Sequence, residues 1–456
     1  MREPAIIEEH MFSQDIAGKG LRKGGVSRAV SGIDRRSFIG ILAANSALLA
    51  APKPSTRAPY QVGVGYSSDP YTATSTALAA CGQFPANLAG QTVVIKPNLV
   101  VPQPSSSGTT TDPAVAQAIV DLCLAAGATA ILIVEAALPG RASNFTACGY
   151  TAVFKSYSQV QLVDLRTGTY VLTPVPGGGY AYQAMWVPSL VLQPNTFFIS
   201  AGKLKTHVDA VVTLSMKNLV GLASESAYAQ PVSAGYPRHD LHLRGIDLSI
   251  MDLNLVRPIG FAVIDGVWGM EGQGPISGTP VATNVVLAGL NPVAVDRVGL
   301  NVMELPQNSV TYLDYAAQAG LGPPNTSNVT LLGDTYSPYP FVPAITPPVL
   351  WQPVASPDTI SISAGQSTSI TYAIRASCYT CAEIIQDSDT TPTVVPIRTL
   401  HPFREVKAPG ESLTWNGMNG DGEAVSPGTY LVRILAIPTP TSQLVNYAVG
   451  RITVTS

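Results

Sequence analysis

Charge is what this chain has least of. Asp, Glu, Lys and Arg make up 12% of its 456 residues, about half the usual share of roughly 25%, and the formal net charge is only -3. With no basic stripe interleaved with aromatics, the sequence excludes a nucleic-acid-binding surface. The five cysteines, Cys81, Cys123, Cys148, Cys378 and Cys381, are too scattered for a disulfide framework. They also include no ferredoxin-type cluster that would hold iron and sulfur. H-E-x-x-H, a nucleophile elbow, a Walker loop and a G-x-G-x-x-G after a strand are all missing, which removes the usual support for metalloprotease, hydrolase and nucleotide-binding readings. What is plentiful is apolar material, 46%, with Gly 40 and Pro 38. Such a chain buries a large core, turns often, and has room for two or three domains.

Residues 1–59 read as an export address. Six basic residues stand against one acid between Lys19 and Arg36, and the apolar run "FIGILAANSALLA" from Phe38 to Ala50 follows. That run is too short to cross a bilayer comfortably, and "DRRSFIG", with Arg35 and Arg36, resembles a twin-arginine export signal. The expected location is therefore periplasmic or extracellular, with a retained N-terminal anchor as an alternative to cleavage.

From about Tyr60 to residue 334, short apolar runs alternate with helical patterns. "TVVIKPNLV", "TAILIVEAA", "TFFISAG", "GFAVIDGV", "NVVLAGL" and "VTLLG" read as buried strands. "TDPAVAQAIVDLCLAAG" has Thr111 or Asp112 as cap, Pro113 in the first turn and Gly127 as stop, and "NPVAVDRVGLNVMEL" repeats the pattern. The fold class expected is α/β, a mainly parallel sheet flanked by helices, with ligands beyond the C-terminal ends of its strands. Residues 335–358 hold seven prolines and read as a semi-rigid linker or a strap across the first domain. Residues 359–456 then read as an all-β sandwich. Within it "CYTC" places Cys378 and Cys381 where a local disulfide is expected, since neither a helix start for redox chemistry nor two further zinc ligands lies near.

Against this background the stretch "GKLKTHVDAVVTLSMKNLVG", Gly202 to Gly221, gathers cations. Its strand is expected to end at Gly202, leaving Lys203, Lys205 and His207 at the ligand-binding edge, with Lys217 and Asn218 near the end of a following helix. "VVIKPNLV" brings Lys96 and Asn98 to the same topological place. "FAVIDGVWGMEGQGP" adds Asp265 at a strand end and Glu271 in a turn made pliant by Gly266, Gly269, Gly272 and Gly274, and Asp296 lies in the next helix. Three readings stay open. The cations receive an anionic ligand, a carboxylate or phosphate on a small molecule or polymer. They form buried ion pairs with Asp265, Glu271 and Asp296. Or His207, His239 and His242, the last two in "RHDLH", join a carboxylate to hold a divalent metal, the one cofactor the residues suggest.

Five ordered segments, "VVIKPNLV", "TDPAVAQAIVDLCLAAGA", "KLKTHVDAVVTLSMKNLVG", "FAVIDGVWGMEGQGPISG" and "NPVAVDRVG", resemble the family catalogued as domain of unknown function number 362 over roughly Tyr60 to Gly333. The resemblance implies no agreed reaction. Its motif residues fall on Lys96, Asn98, Lys203, Lys205, His207, Lys217, Asn218, His239, Asp265, Glu271, Gly274 and Asp296. Some members carry iron–sulfur cysteine clusters, which this chain lacks. "LTWNGMNGDGEAVSPGTYLVRILA" is similar to the C-terminal immunoglobulin-like domain of secreted and flagellar hook-capping proteins, through Trp415, Asn416, Gly417, Asp421, Gly422, Gly428 and Tyr430.

The function expected is thus an exported enzyme with Lys205 and His207 nearest the chemistry and Asp265 or Glu271 orienting or accepting protons. Lys96, Asn98, Lys203, Lys217, Asn218, Gly274 and Asp296 would bind the ligand. The alternatives are a non-catalytic binding protein of the cell surface or periplasm, whose C-terminal domain engages the envelope or a protein partner, and a metal- or iron–sulfur-linked redox protein.

Overall fold

A computed structural model describes residues 60–136, 144–228, 239–387 and 395–456. The export leader expected in residues 1–59 lies outside the described residues. The described chain falls within one compact unit, and no helix in it is long and apolar enough to cross a membrane.

The first half alternates strands and helices as their sequences dictate. Strand β1 (Tyr60–Tyr66) leads to α1 (Pro70–Cys81), β2 (Thr92–Pro97) to α2 (Pro113–Ala125), and β3 (Ala130–Glu135) to the short α3 (Asn144–Ala147) and α4 (Tyr150–Phe154) before β4 (Val160–Asp164). Helices α1 and α2 begin alike: a proline opens each, and the preceding Asp69 or Asp112 caps it by accepting from the Thr72 or Ala114 N–H. A hairpin of β5 (Tyr170–Pro174) and β6 (Ala184–Pro188) follows, then the long β7 (Thr196–His207), short β8 (Val211–Thr213), and α5 (Leu214–Lys217) continuing as a 3-10 turn over Asn218–Leu222. Next come α6 (His239–Leu243), α7 (Ile246–Val256), β9 (Phe261–Glu271), β10 (Thr279–Val281), β11 (Val285–Gly289), α8 (Pro292–Val302), α9 (Thr311–Gln318) and β12 (Val329–Gly333).

The main sheet runs in the order β12-β1-β11-β9-β7-β2-β3-β4. Ladders β9-β7, β7-β2, β2-β3 and β3-β4 are parallel, as is β1-β12. The expectation of a mainly parallel sheet holds along this path except at β11 ("VVLAG"), antiparallel to both neighbours; off the path, the short β8 and β10 add antiparallel to β7 and β9. The cause is local, because β9 turns straight back through β10 and a tight turn joins antiparallel strands only. Alternate strand residues feed two cores. Val93, Ile95, Ile131, Ile133, Ile199 and Val263 pack with residues of α1 and α2, while Val94, Phe198, Ile264 and Leu287 pack with α7 and α8.

The proline-rich segment is a strap and not a loose linker. Tyr339 and Phe341 N–H groups donate to the Val302 and Met303 carbonyls at the end of α8 (2.9 and 3.1 Å). The Gln352 N–H then donates to the Tyr315 hydroxyl of α9 at 2.8 Å. Beyond it lie two further sheets. One contains β13 (Val354–Ser356), β15 (Thr368–Ala373) and β18 (Gly410–Trp415); the other contains β14 (Thr359–Ser361), β16 (Cys378–Gln386), β17 (Arg398–Val406), β19 (Gly428–Ile437) and β20 (Asn446–Thr455). Trp415 and Tyr430 meet edge to face across them. The disulfide expected between Cys378 and Cys381 is not formed: both are buried free thiols on β16. Three residues along an extended strand span about 10 Å and leave opposite faces, beyond the reach of a disulfide.

Candidate functional site

Three strand ends and one helical turn build the site. Strand β7 does not stop at Gly202 as its lysines suggest; its 12 residues run on to His207, buried from Phe198 onward. Strand β9, 11 residues long, runs beside it past Asp265 to Glu271. Their register jumps from Lys203↔Asp265 to Lys205↔Met270, so Gly266 to Gly269 bulge out between. Lys203, Lys205 and His207 alternate along one face of β7, each buried.

Each cation meets a different fate. Lys203 is paired: its Nζ donates to Asp265 Oδ2 at 2.7 Å, with neither side chain exposed. The same Asp265 accepts the Asp112 N–H and the Val267 N–H, so three donors hold its carboxylate in place. Lys96 is also paired. Its Nζ lies 2.9 Å from Glu135 and donates to the Pro97 carbonyl and to Asn218 Oδ1. Glu135 in turn accepts the Leu99 and Ala136 N–H groups, and Asn218 donates to the Lys96 carbonyl and Ser200 Oγ. Gly221 is required beside this pair, since a Cβ there would sit 2.8 Å from the Lys96 ammonium and 2.7 Å from Glu135. Asn98 donates to Asn218 and holds its own N–H on Thr111 Oγ1.

Lys205 differs. It is fully buried, and its Nζ donates to two backbone carbonyls, Thr109 at 2.6 Å and Pro275 at 3.2 Å. No carboxylate among the described residues lies within ion-pairing reach of it. Burial, then the charges of Lys217 and Lys203, hold this amine well below the usual lysine range. Gly274 makes the arrangement possible: a Cβ there would lie 2.0 Å from the Thr206 carbonyl, so only glycine lets this turn close and aim the Pro275 carbonyl at the amine.

His207 is buried, and its Nδ1 accepts the backbone N–H of Asp209 at 3.0 Å. That bond assigns the hydrogen to Nε2. Burial first, then Lys217 and His242, push its pKa well below the usual value, so the ring is neutral. Lys217 stands at the end of α5, reached through a hairpin in which Val211 (φ 65) and Leu214 (φ 45) take left-handed conformations. Two bulky residues there, one of them β-branched, cost backbone energy that the surrounding packing holds in place. The segment expected as one helix is thus a strand, a strained corner and one helical turn.

Asp296 does not pair with any lysine. It accepts the Ser215 N–H (2.8 Å), the Ser215 hydroxyl and the Met216 N–H (3.0 Å), which fastens the first turn of α5 and so places Lys217. Burial raises its carboxyl to about 7. Glu271, expected near the chemistry, accepts the Val342 N–H of the strap at 2.8 Å. Of the metal candidates, His242 lies with Nδ1 3.5 Å from Asp209 Oδ2, and His207 Nδ1 is 4.0 Å from the same atom. The His239 side chain lies outside the described residues. Among the described residues no three His, Cys, Asp or Glu side chains are grouped to hold a metal ion.

The residues sequence reasoning overlooked are Glu135, Thr109, Pro275 and Asp209. Glu135 was detectable: it closes the strand "TAILIVEAA" as Lys96 closes "VVIKP", and the same strand-end logic applies. Backbone carbonyls leave no mark in a sequence.

The chain is similar to known proteins over parts of its length. It is 23% identical over 239 residues to "Thylakoid-associated protein sll1697" of Synechocystis sp. strain PCC 6803, spanning 51% of this chain and 70% of that protein. Among solved structures, latent PorU of Porphyromonas gingivalis aligns over 25% of this chain and 10% of its own (TM-score 0.19, 13% identity). PorZ of the same organism aligns over 24% and 11% (TM-score 0.14, 19% identity). The chain therefore spans about a tenth of the length of these two proteins, and the scores assign no fold. A β-glucosidase of Erythrobacter marinus aligns at TM-score 0.17 and 13% identity over 86% of this chain and 49% of its own. Residues 93–301, which contain Lys96, Lys203, Lys205 and Lys217, match the family model of DUF362, a domain of unknown function.

Proposed function

We propose that the protein is an exported enzyme that binds an anionic ligand, a carboxylate or phosphate, at the Lys205–His207 site. The observation that carries this reading is the buried Lys205 amine, surrounded by the charges of Lys217, Lys203 and Lys96, with two backbone carbonyls and no carboxylate beside it among the described residues. A neutral amine that donates both its hydrogens to Thr109 and Pro275 keeps its lone pair free, as a base or an imine former requires. The neutral His207, with its hydrogen on Nε2, is suited to donate to a ligand oxygen. Bringing an anion among these cations lowers their mutual repulsion, which supplies binding energy. Export rests on the leader with Arg35 and Arg36. The two C-terminal sheets serve, in this reading, as an immunoglobulin-like domain that meets the envelope or a protein partner.

The test is thermal unfolding of the full chain with phosphate, acetate or citrate against chloride at matched ionic strength. Anions that occupy the site raise the midpoint of the parent as their concentration grows past Kd, and Lys205→Met abolishes the rise. A parent whose midpoint ignores all three anions would exclude the anion site and return the cluster to a structural role.

A further inference from the structure

The C-terminal sheets hold more than their own core. Arg451 of β20 donates from Nε to Asp387 Oδ2 at 3.0 Å and from Nη1 to the Gly178 carbonyl at 3.2 Å. Asp387, just after β16, accepts Arg244 Nη1 on its other oxygen at 3.0 Å. Arg244 ends the helical stretch of α6, with Nε 3.5 Å from Asp240 one turn earlier, and its guanidinium lies 4.6 Å over the Tyr182 ring. The Tyr182 hydroxyl closes the circuit by donating to Asp240 at 2.7 Å. The side chains of Arg244, Asp240 and Asp387 are 2%, 2% and 4% exposed. Gly245 then seats the end of α6 on β20: a Cβ there would lie 2.6 Å from the Tyr447 carbonyl, and φ is +99°.

Helix α6 has only five residues, far short of the length at which a helix holds itself together, so its position is set by what it is fastened to. It carries His242, whose Nδ1 faces Asp209, the residue whose N–H holds the His207 ring. We infer that Asp387 and Arg451 of the C-terminal sheets are positioning residues for α6, fixing His242 against Asp209 and, through it, the setting of His207. This rests on the proposed reading of the Lys205–His207 site. A largely buried circuit of two arginines and two carboxylates gains less stability than apolar packing of the same volume, whereas its directional bonds fix one placement of the helix.

The experiment uses the full chain with 15N-labelled histidine, recorded at one fixed pH without added anion. Asp387→Asn should displace the ring resonances of His242 and His207, and Asp387→Glu should return them toward the parent. Tyr372→Phe is the control: it removes a buried hydroxyl bonded to Glu411 and Thr380 within the same sheets, and should lower the unfolding temperature while leaving both rings in place. If Asp387→Asn does not fold, Arg451→Met, at a side chain 24% exposed, is read in its stead with the same expectation. Rings unmoved in a variant whose unfolding temperature falls would overturn the inference and leave the circuit as a structural tie. The ring measurement needs no ligand, so absence of a phosphate-induced shift in the parent, with displaced rings in the variant, would sink the anion site alone. Where both hold, phosphate stabilisation should weaken severalfold in Asp387→Asn.

Discussion

Lys203 and Lys205 stand two residues apart on one strand, equally buried, and differ only in what their Nζ atoms meet. Removing the first strands a carboxylate: Lys203→Met leaves Asp265 unpaired in the interior, at a cost of about 3–5 kcal/mol. Removing the second leaves two carbonyls short of a donor but relieves a desolvated amine among like charges, so Lys205→Met should cost clearly less. Urea denaturation of the two variants against the parent measures the order, and an equal loss would mean that Lys205 has an ionic partner. The pH dependence separates them further. Burial and its cationic neighbours hold the Lys205 amine well below the ordinary lysine value, so between the folded and unfolded values the unfolded chain binds the extra proton. Stability contributed at this position therefore rises with pH up to the unfolded value and is least at the acid end. Lys205→Met removes that slope, and the variant should gain on the parent as the pH falls from about 10 toward 7. Parallel stability curves over that interval would show the amine charged and compensated.

Strands β7 and β9 show at the scale of elements why the site was half legible. A lysine after a run such as "TFFISAG" reads as the end of a buried strand, because an isolated ammonium costs too much inside. Here Asp265, Thr109 and Pro275 supply the partners, and all three come from segments distant in sequence, so nothing within the window around Lys203 announces them. The same holds for the strap. Seven prolines exclude a helix, yet they do not say whether the segment hangs free. Its backbone settles the matter: Tyr339, Phe341, Val342 and Gln352 N–H groups are each bonded to the first half of the chain, Val342 through Glu271. Trypsin has no Lys or Arg in residues 335–358 to cut, so the informative reagent is a broad-specificity protease. Its expected outcome is that the native protein gives no early cleavage in this segment and no stable fragment ending at Ser456. Glu271→Ala, which frees the Val342 N–H, should expose the strap and speed cutting there; unchanged protection would mean that this bond does not hold it.

For the molecule as a whole, the α/β alternation, the capped helices and the change to short strands after the strap are local signals, and they were legible because caps, glycine stops and apolar runs lie within a few residues of one another. What escaped was set at long range: the antiparallel seat of β11, Glu135 as the partner of Lys96, the backbone partners of Lys205, and the joining of the two halves through Arg244, Asp387 and Arg451. That joining determines how the protein should unfold. Its interface combines the buried Arg244–Asp387 pair with main-chain contacts, among them the Gln352 side chain on the Tyr180 carbonyl and the Asn446 side chain on the Pro348 carbonyl of the strap. Opening the interface breaks this pair, whose side chains are 2% and 4% exposed, together with the main-chain contacts around it, and only roughly 5–15 kcal/mol holds a typical domain folded. The two halves should therefore unfold together. Scanning calorimetry of the full chain should show one transition with calorimetric and van't Hoff enthalpies in agreement, and Arg244→Met should split it into two or bring the lower-melting half down first. Two resolved transitions in the parent would mean that the sheets beyond the strap fold on their own terms, with the circuit only a latch between finished domains.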